Sequence, residues 1–505
     1  IYVLFLVIFR KKMNENVWLW ALYWMGLSLL LSYSLRSWFI FGWDSFREFY
    51  VFNITKNNFL WDFLTYKNDY NSCLSLTIFP IILENFTRIQ AQYIFKLLFQ
   101  FIFPFILIVL FLFVRKYVSI TVSFFASLFF ILPPDFYGLS ILYRQEIAFF
   151  FFSLMLFILF SKEVNLVIKK ILFVIFGASM IVSHYSTAYI ALAIFTLTYL
   201  FILIYKIYEN QKIKRGKLNE DQRLYFYLTG VLVLFLLIFG FLWYSQLTDT
   251  SSNLVRVFHN SLDNFNMGIN EDSRDRDASI SFYLNLFYKY PDNSRVLNSY
   301  IQETSDIYKN RDNVIKDVGK YSTHIVSSDI LNPPNYNLYR FAYYLERLIK
   351  IFFKIMIFLG IILLFYKKEV YTNNKLDAEI KIFFITLGIL LFLMFSLPLI
   401  SFNYDTGRLF QQMLLILSLP AILGTIFLLR LIHISKEFKL IFISLLLITY
   451  FLFSSGFIYN LLGGYPSLQL ENKGYSYDNS YSNGEELVSA MWLGDNRDSE
   501  YKICA

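Results

Sequence analysis

The chain has 505 residues, 57% hydrophobic and only 16% charged, with net charge +8 and mean hydropathy +0.50. A soluble globular protein carries about 25% charged residues, so the composition excludes an ordinary soluble domain and indicates a membrane-embedded chain. The positive charge does not indicate nucleic acid, because the basic residues collect in short loops on one side of the hydrophobic segments.

A membrane-spanning helix needs about 20 apolar residues, and a backbone in lipid has to bond to itself, which makes such segments helical. Candidate spans are 17–35, 93–114, 118–134, 146–161, 169–184, 187–206, 225–245, 348–366, 381–400, 409–430 and 439–459, with 1–9 as the tail of an earlier one. The expected fold is therefore all-α, a polytopic bundle of about eleven spans over 1–459. The abrupt start at Ile1 and end at Ala505 read as a fragment lacking material on both sides.

One alternating set of loops is basic: Arg10 to Lys12, Arg115-Lys116, Lys162 with Lys169-Lys170, Lys206 to Arg223, Lys367-Lys368 with Lys375, and Arg430 to Lys439. By the positive-inside rule these face the cytoplasm. The other set is polar and of mixed charge: 36–92, 135–145, 246–338, 401–408 and the tail 460–505. It is expected on the extracytoplasmic side, with 460–505 opening an outer C-terminal domain through an amphipathic stretch around Glu485 to Leu493. Cys73 and Cys504 have no metal-type spacing, and the four histidines stand apart in sequence.

The first outer loop carries Gly42-Trp43-Asp44-Ser45-Phe46-Arg47-Glu48-Phe49-Tyr50. Asp44 and Glu48 are four apart, which on a helix puts both carboxylates on one face. Such a pair can hold a divalent cation, Mg or Mn, through oxygen ligands, or one acid can serve as general base toward an acceptor hydroxyl. A solvated loop in which Arg47 neutralises its neighbours is the plain alternative. Arg408 is expected at the mouth of a later helix, where its planar fork suits a phosphate, or where it snorkels and pairs with Asp405. Arg340, Arg347 and Lys354 repeat every seven residues and share a face, either toward anionic head groups or simply toward the surface. Arg144 and Glu146 open another helix, where a structural pair with each other is one reading. His184, in Ser183-His184-Tyr185-Ser186, lies between two spans and reads as a cavity-lining acid or base, or as a satisfied structural residue.

The stretch from Gly42-Trp43-Asp44 to Glu48-Phe49-Tyr50, with Asn57-Asn58, Trp61-Asp62, Tyr70 to Thr77, Arg144-Gln145-Glu146 and Ser183-His184-Tyr185, resembles a family of large, mainly archaeal membrane proteins of unknown function. That family in turn looks like the type-C glycosyltransferases. The resemblance implies their architecture and an outer-face reaction that takes a sugar from a polyprenyl-phosphate donor. It carries a catalytic role onto Asp44 and Glu48, a spacing wider than the usual closer pair. The implied roles are Asp44, Glu48 and His184 in catalysis, Asp44 and Glu48 as a possible metal pair, and Arg408, Arg144 and Arg347 toward donor phosphate. Expected partners are membrane lipids, the lipid-linked donor and a protein, lipid or glycan acceptor, with no nucleic acid. A lipid-linked-sugar transporter or flippase and a non-catalytic envelope scaffold remain the alternatives.

Overall fold

A computed structural model describes residues 2–64, 66–215, 224–250, 336–366, 376–396, 406–433, 435–462, 470, 477, 480–482 and 484–496. Most of the expected outer loop 246–338, together with Asp405 and Cys504, lies outside them. Among the described residues the fold is all-helical, with no strand. In chain order the helices are α1 (Tyr2–Ile8), α2 (Glu15–Ser34), α3 (Trp43–Asn58), α4 (Ile78–Thr87), α5 (Ala91–Arg115), α6 (Ile120–Ile131), α7 (Pro134–Ile141), α8 (Tyr143–Leu159) and α9 (Leu166–Ser183). They continue as α10 (Tyr185–Lys214), α11 (Gly230–Leu247), α12 (Tyr336–Tyr366), α13 (Ala378–Ser396), α14 (Thr406–Leu431), α15 (Lys436–Ser454), α16 (Phe457–Leu461) and α17 (Gly484–Asn496).

Eight of these contain a stretch long and apolar enough to cross a membrane: α2, α5, α9, α10, α11, α12, α14 and α15. The expected span 118–134 is instead a bent pair, α6 and α7, which meet at 63° and would make a ninth. Pro133 and Pro134 lie at the bend, where proline removes backbone donors and crowds the preceding turn. The expected spans 146–161 and 381–400 correspond to α8, of 17 residues, and to α13. Trp20, Trp24, Val167, Ile171, Val231 and Leu234 are exposed on the bundle surface, as helices solvated by lipid require.

Each span runs between two ends. At the basic end, Arg115 pairs with Glu15 at 3.3 Å and Lys162 with Asp377 at 2.9 Å. There the Glu379 carboxylate also accepts from the Tyr227 and Leu228 amides, at 2.9 and 2.6 Å. The other end carries α3, α4 and α7 and is the site end of the bundle. Two backbones come unusually close along the bundle. A Cβ on Gly360 of α12 would lie 1.9 Å from the Pro420 carbonyl oxygen, and one on Gly424 of α14 would lie 2.2 Å from that of Met356. The glycines therefore let α12 and α14 cross in near-contact, the close approach that small residues permit in lipid. At the site end, the buried Lys96 of α5 donates to the Ser37 and Phe39 carbonyls, which pins the segment leading into α3.

Candidate active site at the site end of the bundle

The acidic stretch is helical, and Asp44 and Glu48 stand one turn apart on α3. This helix is locked onto the turn before α8. Ser45 Oγ donates to the Ile141 carbonyl at 2.6 Å, and the Tyr143 amide donates to Glu48 Oε2 at 3.0 Å. Arg144, next in the chain, then lies between the two acids. Its Nε is 3.3 Å from Glu48 Oε1 and its Nη2 is 3.4 Å from Asp44 Oδ2. The guanidinium stacks 3.8 Å over the Tyr70 ring, with Tyr185 at 5.4 Å. Tyr70 in turn donates its hydroxyl to Asp44 Oδ1 at 2.8 Å. Arg144 thus pairs with Asp44 and Glu48 rather than with its neighbour Glu146, which receives the Gln100 amide at 3.2 Å.

Arg408, on the first turn of α14, approaches Asp44 Oδ2 at 3.7 Å. Four of the sequence candidates therefore meet: Asp44, Glu48, Arg144 and Arg408. Glu48 is fully buried and Arg144 nearly so, whereas the Asp44 and Arg408 side chains are 25% and 32% exposed. The open half of the cluster is thus Asp44 with Arg408.

His184 lies beside this group, buried, with Nδ1 2.8 Å from Thr187 Oγ1. The Gln412 amide, one turn on from Arg408, donates to the Thr187 carbonyl at 3.1 Å. Burial, then the positive charges of Arg144 and Arg408, hold His184 well below the usual histidine range. It is therefore neutral at physiological pH and suited to hydrogen bonding rather than to donating a proton as an acid. Arg347 is half-buried on α12, next to Glu346, and does not line the cavity described below.

Burial pushes Glu48 up to about 8, against the pull of Arg144 and with some help from the Asp44 charge. Burial likewise pushes the Cys73 thiol up to about 12, which keeps it a thiol. Three of the four oxygens of the acidic pair accept hydrogen bonds, from Tyr70, Arg144 and the Tyr143 amide, while Glu48 Oε1 has Arg144 Nε at 3.3 Å without a hydrogen bond. Among the described residues, no group of three or more His, Cys, Asp and Glu could hold a metal ion.

Arg408 also opens onto a cavity of about 550 Å³ whose polar lining includes Asp135, Glu346, Tyr33, Tyr137 and Tyr459. Tyr459 donates to Glu346, which Lys350 also holds at 2.6 Å. Asp135 presses against the start of α14, where a Cβ on Gly407 would lie 2.4 Å from Asp135 Oδ1. Glycine at 407 thus admits that carboxylate beside Arg408. A second, apolar hollow of about 290 Å³ is lined by residues that include Leu74, Ile78, Phe79, Ile147, Phe151 and Val182. It adjoins the cluster through Ile147, one turn after Tyr143, and Leu74, next to Cys73.

The family model described as Predicted membrane protein (DUF2206) matches residues 169–282 and 287–505. The chain belongs to this family. No curated protein matches it. Within the DUF2206 match fall His184, Arg347, Arg408 and α17, while Asp44, Glu48 and Arg144 precede it. The site is thus built across the edge of the matched region. Tyr70, Asp135, Glu346 and Tyr459 join the site without a motif in the sequence that marks them. A carboxylate following two prolines, Pro133-Pro134-Asp135, was the one local signal that could have drawn attention to Asp135.

Proposed function

We propose that this DUF2206 protein is a membrane glycosyltransferase of the type-C kind, moving a sugar from a polyprenyl-phosphate donor to a protein, lipid or glycan acceptor. The observation that carries the reading is one partly open carboxylate, Asp44, shared between a buried arginine and a second arginine that faces a polar cavity. In this reading α8, α13 and the bent pair also cross the membrane, giving eleven spans. The basic end is cytoplasmic and the site end extracytoplasmic, as the loop charges favour.

The donor phosphate takes the Arg408 guanidinium as a two-pronged partner. Its hydrocarbon chain follows the apolar hollow, and its sugar enters the cavity. Asp44, still oriented by Tyr70 on Oδ1 and Arg144 on Oδ2, then has the side of Oδ2 that Arg408 leaves open to the acceptor. The acceptor hydroxyl gives its proton to Asp44, and the acceptor oxygen bonds to the anomeric carbon. The bond from that carbon to the phosphate oxygen breaks with its electron pair, and polyprenyl phosphate leaves on Arg408. Glu48 acts as a positioning residue through Arg144.

The test is Arg408→Gln assayed with a purified lipid-linked sugar. Losing a charge-assisted bidentate contact costs about 2–3 kcal/mol, so the donor KM is expected to rise roughly 30- to 150-fold, with partial rescue by Arg408→Lys. An unchanged donor KM in a folded variant removes Arg408 from the site.

The charge of the cluster gives a second expectation. With Glu48 protonated, Asp44, Arg144 and Arg408 sum to +1, and with Glu48 ionised they sum to zero. Donor affinity should therefore fall as pH rises through about 8. A unit charge roughly 10 Å away at an effective dielectric of about 20 is worth about 1.7 kcal/mol, so the fall is of order tenfold. A phosphodiester donor keeps its single charge throughout, and Glu48→Gln should flatten the profile. A pH-independent affinity in the parent chain would contradict the assignment. Linkage gives stability the same sign. An acid raised on folding binds its proton more tightly when folded, so its contribution declines from about pH 4.5 to about 8.

A transport reading would rest on Glu146, fully buried within the bundle beside Gln100. Proteoliposome uptake that survives Asp44→Asn and disappears with Glu146→Gln would favour it.

A further inference from the structure

Beyond α15, residues 477 and 481–482 are tied to the site end. The Tyr477 hydroxyl donates to the Arg36 carbonyl and the Tyr481 hydroxyl to the Tyr33 carbonyl, each at 2.9 Å. Ser37 Oγ donates to the Ser482 carbonyl at 3.1 Å. The Tyr481 ring is buried, with its centroid 4.1 Å from that of Phe41. These ties fix the level of the tail. The spanning helix α2 has 20 residues, which at about 1.5 Å each is about 30 Å, the thickness of the hydrocarbon layer. Ser34 thus marks the edge of the hydrocarbon, and Ser37 lies in the head-group layer, about 5–7 Å deep. Trp38, the next residue, is 78% exposed, as an aromatic at a membrane interface is placed.

The last helix among the described residues, α17, begins at Gly484, two residues beyond Ser482. Two residues of chain reach at most about 7 Å, so α17 starts within or beside the head-group layer. Its residues Leu487, Val488, Met491 and Trp492 recur at helical spacing on one face, and are 43%, 66%, 60% and 64% exposed. An isolated helix of this length is marginal in water and draws its stability from burying such a face.

We infer that α17 is an interfacial helix, lying on the leaflet at the site end with Leu487, Val488, Met491 and Trp492 sunk among lipid chains. The occupant of its apolar face is the membrane itself, continuous with the interface that Trp38 already meets. Glu486 lies on the opposite side, toward water, as an amphipathic helix in the head-group plane requires. Because Tyr481 holds Tyr33, and Tyr33 lines the cavity, a membrane-seated α17 also steadies one wall of that cavity. The inference does not depend on the transferase reading.

The test uses the full chain in lipid nanodiscs with nitroxide labels, in a Cys504→Ser background. Cys73, 1% exposed, needs no replacement. Labels are placed singly through Val488→Cys, Met491→Cys, Glu486→Cys and Ser489→Cys. Collision with dissolved oxygen should exceed collision with a water-soluble nickel chelate at 488 and 491, and the order should reverse at 486 and 489. Nickel dominating at all four positions would place the helix in water. Low access to both reagents at 488 and 491 would mean that protein, a second copy included, covers the face. Either result overturns the inference.

Discussion

Asp44→Asn is expected to lower sugar transfer by about 10²- to 10⁴-fold, the range associated with loss of a positioned general base, while leaving the chain folded. The amide keeps the shape of the carboxyl group, and its oxygen can still accept from Tyr70, which lies 2.8 Å from Asp44 Oδ1. It cannot take a proton from an acceptor hydroxyl. The loss should fall on kcat while donor KM falls, because in the proposed reading donor phosphate takes Arg408, which sits 3.7 Å from Asp44 on a different helix, and removing the Asp44 charge leaves the cluster more positive. Arg408→Gln should do the reverse and act on donor KM. That opposition separates chemistry from binding, since general damage to the site would lower kcat and raise donor KM in both variants. Glu48→Gln supplies the control. Glu48 is buried and pushed up to about 8, so at neutral pH it already carries a proton, and the amide changes little. Transfer by Asp44→Asn within tenfold of the parent, in protein that remains folded, would remove Asp44 from the chemistry.

What the sequence made readable and what it hid follow from the range of the forces involved. Hydropathy within one window was enough to find α2, α5 and α9 to α11, and fourfold spacing was enough to put Asp44 and Glu48 on one face of a helix. The bend between α6 and α7 was hidden because the apolar run continues to Leu132, and only the two prolines after it mark the break. Partner choice was hidden more deeply. Arg144 has Glu146 two positions away, yet that spacing points the two side chains to different faces of α8. Its partners come from α3, Asp44 one hundred positions earlier and Glu48 close behind it. Asp135 and Glu346 look like ordinary loop and helix charges until α7, α12 and α14 bring them around the same cavity as Arg408. A hydropathy window counts a buried charge as a cost, whether or not a distant carboxylate cancels it.

Arg144→Met should be the most destabilising change in the site. The guanidinium is buried between Asp44 and Glu48 and stacked on Tyr70, and removing one partner of a buried ion pair costs about 3–5 kcal/mol. The thermal midpoint in detergent should drop by several degrees. Arg144→Lys should fall between the two, because it keeps a charge but loses the planar stack and the two-sided reach. Pairing the change with Glu48→Gln shows which acid carries the cost. At pH 7 Glu48 is mostly protonated, so the strain of an unpaired charge falls on Asp44, and the coupling between positions 144 and 48 should be small. At pH 9 Glu48 is ionised and leans on Arg144, so the same double-mutant cycle should give a clearly larger coupling. A coupling that does not grow between pH 7 and pH 9 would mean that Glu48 stays ionised beside Arg144 throughout. The cluster would then be neutral when the donor arrives, and a lone phosphate would find no net charge to attract it.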